Sequence, residues 1–162
     1  MKAKKTALYG ILTALALILS YVESMLPLSF AVPGVKLGLP NIAIVFALYR
    51  LGDKDACIIS LVRVLLVSIL FGNVLSLAYS AAGAVLSLLS MILLKKSGRF
   101  SPTGVSVAGG VMHNAGQILA AMLLLETGRI AYYLPVLCVS GTIAGVCIGL
   151  VSGLLIKRVK TE

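Results

Sequence analysis

The chain has 162 residues, of which 60% are apolar and only 12% charged. A soluble domain carries about 25% charged residues, and at about 20 residues per membrane span six helices leave no length for a soluble catalytic domain. The formal net charge of +9 is gathered in short clusters at the ends of apolar blocks, namely Lys2, Lys4 and Lys5, then Lys95, Lys96 and Arg99, then Lys157, Arg158 and Lys160. That is how membrane proteins set their orientation, and it is not a nucleic-acid signature.

Six spans are predicted in one membrane domain covering 1–162, at about 6–26, 37–51, 56–71, 74–94, 104–125 and 131–156. The basic start followed by an apolar run imitates a secretory leader, but the run is long for one and lacks a small-residue cleavage site, so it reads as a retained first span. Pro27 closes it, and a Pro- and Gly-containing loop follows to Pro40, with Lys36 between Pro33-Gly34 and Gly38. A lysine in a loop shaped by Pro and Gly is either a solvated interfacial side chain or a lid over an outward-facing pocket.

The second apolar run is too short to span comfortably. A short or broken helix at membrane depth is tolerated only where protein or a cavity surrounds it. Asn41, following Pro40, stands where it could cap this helix or touch a ligand. Gly52-Asp-Lys-Asp55 is read as a polar turn, and Gly72-Asn73 as a tight one.

Arg63 lies near the middle of the third span. Arg at the centre of a bilayer is unfavourable by roughly 2.5–3.5 kcal/mol on insertion scales, so it must face the bundle interior, a cavity or a partner. Glu23, at the end of the first span, is the acid within reach. A guanidinium offers a planar two-pronged donor suited to a carboxylate or phosphate. On the fifth span His113 and Gln117 are four residues apart and share a face, with Asn114 beside them. His113 has much the same depth as Arg63, which suggests one internal site. The alternative is that His, Asn and Gln are interhelical glue.

Small residues recur at four-residue spacing in the sixth span (Gly141, Gly145, Gly149, Gly153) and in the first (Gly10, Ala14). Such rows serve either tight packing within the bundle or docking of another membrane subunit. Cys57, Cys138 and Cys147 are isolated and read as free thiols buried as small hydrophobes.

Taken with the N-terminus in the cytoplasm, six spans place eleven Lys and Arg on the inner side (Lys2, Lys4, Lys5, Arg50, Lys54, Lys95, Lys96, Arg99, Lys157, Arg158, Lys160) and only Lys36 and Arg129 on the outer. Both termini are therefore expected inside.

Catalytic motifs are missing. No phosphate-binding Gly-x-x-x-x-Gly-Lys-Ser/Thr loop exists. The five acids, Glu23, Asp53, Asp55, Glu126 and Glu162, form no aspartate-rich cluster of the kind that holds magnesium and diphosphate. No catalytic residue, metal site or cofactor is predicted.

An ordered set of segments resembles a known family: Pro33-Gly-Val-Lys-Leu-Gly-Leu-Pro-Asn41, Leu61-Val-Arg-Val-Leu65 with Gly72-Asn73, Ser80-Ala-Ala-Gly-Ala84 with Ser87 to Met91, and Gly109-Gly-Val-Met-His-Asn-Ala-Gly-Gln117. Together they resemble the Gx transporter family, labelled heptaprenyl diphosphate synthase component I. That resemblance implies a relation to the S components of energy-coupling factor (ECF) transporters. These are six-helix substrate-capture subunits of the prokaryotic plasma membrane, which work with a coupling subunit and ATP-binding subunits. It further implies a lid carrying Lys36, a substrate site drawing on Asn41, Arg63, His113, Asn114 and Gln117, and a docking face of Ala7, Gly10 and Ala14.

The substrate expected is a small anionic organic molecule or vitamin-like compound. With no Trp and few aromatics, the chain differs from vitamin binders that stack their ligands. The alternative reading is a non-catalytic membrane accessory subunit in isoprenoid or quinone assembly, acting with a soluble prenyl synthase.

Overall fold

The computed structural model describes residues 2–25 and 38–159, with side chains from Lys5 onward in the first helix. All regular structure in these residues is helical: α1 (Lys2–Met25), α2 (Asn41–Arg50), α3 (Asp53–Phe71), α4 (Val74–Ser97), α5 (Pro102–Leu124), a 3-10 turn (Gly128–Tyr133) and α6 (Leu134–Arg158). Local chemistry explains the boundaries. Asn73 caps α4, its Oδ1 accepting from the Ser76 N–H at 2.8 Å, and Gly98 ends that helix at φ 68°, a left-handed conformation that favours glycine. Ser101 caps α5 ahead of Pro102 at its first position.

Two boundaries differ from the sequence reading. The turn expected at 52–55 is shorter, because α3 already begins at Asp53, and two acids in a first turn suit the positive end of the helix dipole. Asn41 does not cap α2; Pro40 holds the cap position without a side-chain hydrogen bond.

Four segments are long and apolar enough to cross a membrane: Lys5–Met25, Val74–Ser97, Pro102–Leu124 and Gly128–Arg158. α2 is too short by length alone, and α3 carries Asp53, Lys54, Asp55 and Arg63. Large apolar side chains are exposed all over the bundle, among them Ile11, Ile69, Leu93, Leu123 and Ile143. Contiguous apolar surface on this scale is foreign to a water-facing monomer. The chain is a multi-pass membrane protein.

α2 forms the centre. Six consecutive residues, Ala43 to Leu48, are buried, and Leu12 and Ala16 of α1, Ala56 and Ile59 of α3, Met91 of α4 and Val105 of α5 close around them. Its short length is thereby compatible with membrane depth, since neighbouring helices and not lipid surround it.

Polar contacts gather at one end of the bundle. Lys5 of α1 pairs with Asp55 of α3 at 2.8 Å. Lys95 of α4 reaches both Asp53 and the Leu48 carbonyl, each at 2.7 Å, and Arg50 of α2 donates to the Ile156 carbonyl of α6. These contacts bring together the start of α1 and the end of α6. At the opposite end, Tyr21 of α1 meets Phe71 of α3, with ring centroids 5.2 Å apart.

α4, α5 and α6 pack through glycines. A Cβ on Gly116 would lie 2.6 Å from the Ala82 carbonyl oxygen of α4, and one on Gly110 would lie 2.5 Å from the Gly141 carbonyl oxygen of α6. Added at Gly145 or Gly149, it would fall 2.6 Å from the Val107 Cα or 2.5 Å from the Thr103 Cα of α5. The glycine row of α6 is thus spent on α5 from Gly141 to Gly149, while a Cβ on Gly153 would meet nothing within 4 Å. In α1, Ala7, Gly10 and Ala14 are exposed, and the space beside Gly10 is open. The cysteines are free, but they are less enclosed than expected: Cys57 and Cys138 are half-buried and Cys147 is exposed.

Candidate functional site

A cavity of about 270 Å³ lies within the bundle, walled by all six helices and by Gly38 and Gly72. α3 contributes Arg63 from its middle, ten residues, or about 15 Å, from the Asp53 end. Arg63 lines the cavity, and its Nε is buried without a hydrogen-bond partner among the described residues. Glu23 of α1 lines the same cavity, accepts from the Gly38 N–H and attracts the guanidinium electrostatically.

From α5, Ser106, Gly110, His113 and Asn114 face this space. The His113 ring is held against α4 where Gly83 leaves room: a Cβ there would lie 3.0 Å from its Cε1. Asn114 does two things at once. It lines the cavity, and its Nδ2 donates to the Leu137 carbonyl oxygen of α6 at 2.6 Å, so it is interhelical glue as well as wall. Asn41 enters at the start of α2.

Of the residues singled out from sequence, the cavity therefore brings together Asn41, Arg63, His113 and Asn114. Gln117 does not line it; one helical turn further along α5, it lines a neighbouring cavity with Ser76, Tyr79 and Ile118. Lys36 lies outside the described residues.

The sequence reading gave no site role to the serines Ser20, Ser24, Ser76, Ser80 and Ser106, all of which line the cavity. The signal was available in their spacing. Ser20, Glu23 and Ser24 share a face of α1, Ser76 and Ser80 a face of α4, and Ser106, Gly110 and His113 a face of α5. Ser20 and Ser24 donate to the Ala16 and Tyr21 carbonyls of their own helix, which leaves their oxygens to accept.

Such a chamber can hold a small polar molecule. The guanidinium supplies charged donors, Glu23 supplies an acceptor, and hydroxyls and amides supply neutral partners around them. A family model described as heptaprenyl diphosphate synthase component I matches residues 12–155.

The chain belongs to that family. No curated protein and no solved structure matches it. No group of three or more His, Cys, Asp or Glu side chains that could hold a metal ion occurs among the described residues. The matched segment takes in every residue that lines the cavity, from Ser20 to Ile148, so the chamber belongs to the family region of the chain.

Proposed function

We propose that the protein is a substrate-capture subunit, resembling an ECF S component, for uptake of a small anionic organic molecule across the cell membrane. The observation that carries this reading is a guanidinium whose buried Nε finds no partner among the described residues, on a side chain that lines a polar cavity inside an otherwise apolar bundle. A buried polar group left without a partner costs about 1–3 kcal/mol, and a charged one more. The arrangement is stabilised when an acidic group supplies the missing acceptor.

Six spans with both termini in the cytoplasm are part of the proposal. They keep eleven basic residues inside against two outside, and they turn the Glu23 and Asn41 end of the cavity outward. Energy would come from separate coupling and ATP-binding subunits, docked on the exposed Ala7, Gly10 and Ala14 face of α1, where small residues allow close approach of another helix.

The family description favours a second reading, a membrane accessory subunit for a soluble prenyl synthase. Affinity capture of the protein from its native membrane, followed by identification of its partners, separates the two. The capture reading expects an ECF coupling subunit and ATPases, lost in Gly10→Phe while the bundle stays folded. Recovery of a prenyl synthase without them would overturn it.

A further inference from the structure

The Arg63 cavity does not stand alone. A second cavity of about 580 Å³ lies between α4, α5, the 3-10 turn and the start of α6. Ser76 and Ser80, one turn apart on α4, line both spaces. Along α5 the first cavity ends at Asn114 and the second begins at Gln117; along α6 the second ends at Leu137 and the first begins at Gly141. Along α5 and α6 the second space therefore begins where the first stops, and at α4 the two lie side by side, with the serine pair lining both.

Their chemistry differs. The first holds Arg63, Glu23 and His113. The second is walled largely by Leu75, Ile118, Ala121, Leu125 and Ile130, with Tyr79 and Tyr133 among them. Small-ligand sites usually run to about 300–1,000 Å³. The first cavity alone falls below that range, and the two together fall within it.

We infer that the substrate is an anionic amphiphile. Its acidic head, a phosphate or carboxylate, sits at Arg63, and a single apolar chain passes Ser76 and Ser80 into the second cavity. This rests on the reading of the Arg63 cavity as the binding site. Two-chained membrane lipids carry similar heads, and dialkyl phosphates in the test distinguish them from a single-chain ligand.

The test is titration of purified protein in nanodiscs with monoalkyl phosphates from butyl to decyl, the matching alkyl carboxylates, and dialkyl phosphates. Removing one methylene from water into an apolar site corresponds to about fourfold in affinity. Partitioning into the disc is the same for every variant, so the comparison between variants reads the site. Affinity should rise with chain length in the unaltered protein, and more steeply than in Ala121→Trp or in Leu125→Trp, which fills the exposed mouth and spares the packed wall. The shortest anions should bind all three equally. Arg63→Met should lose the whole series, and dialkyl phosphates should bind no better than butyl phosphate.

Equal slopes in the unaltered protein and both tryptophan variants would overturn the amphiphile and leave Arg63-dependent capture of short anions standing. Stronger binding of dialkyl phosphates would also overturn it, in favour of bilayer lipid. Absence of Arg63-dependent binding throughout the series would bring down this inference and the capture reading together.

Discussion

Arg63→Met should make the empty protein more stable while abolishing capture of an anion. Methionine keeps the length of the side chain and removes a charge whose Nε finds no partner among the described residues. Replacing buried ionic groups with apolar ones of similar volume is often stabilising by about 1–4 kcal/mol. The lower part of that range applies here, because Glu23 loses an attractive charge while keeping its Gly38 N–H. At about 2–4 °C per kcal/mol for a domain of this size, the melting temperature should rise by roughly 2–8 °C. Binding should move the other way. Two charge-assisted hydrogen bonds at about 1.5–3 kcal/mol each correspond to a loss of roughly 100-fold or more. Arg63→Lys should fall between the two, since it retains charge without the planar fork. Thermal unfolding and ligand titration on the same preparations check both halves. A destabilised Arg63→Met that still binds would mean that the guanidinium is a structural tie.

The second large effect concerns the glycines. Gly110→Ala and Gly149→Ala each place a Cβ 2.5 Å from backbone atoms of the neighbouring helix, which cannot swing aside as a side chain can. Helices must separate, and overpacking of this kind costs about 1–3 kcal/mol and occasionally more. Gly153→Ala and Gly10→Ala meet nothing within 4 Å and should be neutral or stabilising by up to about 1 kcal/mol, because alanine is the better helix former. Thermal unfolding of the four variants should split them into two pairs. Equal behaviour would show that α5 and α6 are not in backbone contact.

The same contrast marks where sequence reading stops. The glycine row of α6 and the small residues of α1 look alike as spacing, and spacing shows that a face is narrow without showing what lies against it. Only the placement of α5 assigns Gly141, Gly145 and Gly149 to internal packing and leaves Ala7, Gly10 and Ala14 open.

The helix ends were more legible, because their causes are local. Gly72-Asn73, Gly98 and Ser101-Pro102 act through their own backbone and side chains. The start of α3 was misread because Asp53 and Asp55 look like a turn, yet they are favourable in a first helical turn.

Cavity-lining residues were legible through depth. Hydrocarbon is intolerant of polar groups, so Arg63 and His113 at similar depth had to be turned inward, and both line one cavity. Depth could not resolve a single turn, about 5.4 Å, and that separates His113 from Gln117 and one cavity from the next. The serines were given no site role because a hydroxyl can satisfy itself on its own helix, as Ser20 does on Ala16, and so leaves no sign of stress in the sequence.

Mass spectrometry of the small molecules released on unfolding the purified protein tests the central claim most directly. The unaltered protein should release one anionic compound in a fixed ratio to the chain, and Arg63→Met should release none. The same compound in the same ratio from both would contradict the assignment of the cavity to Arg63-dependent capture.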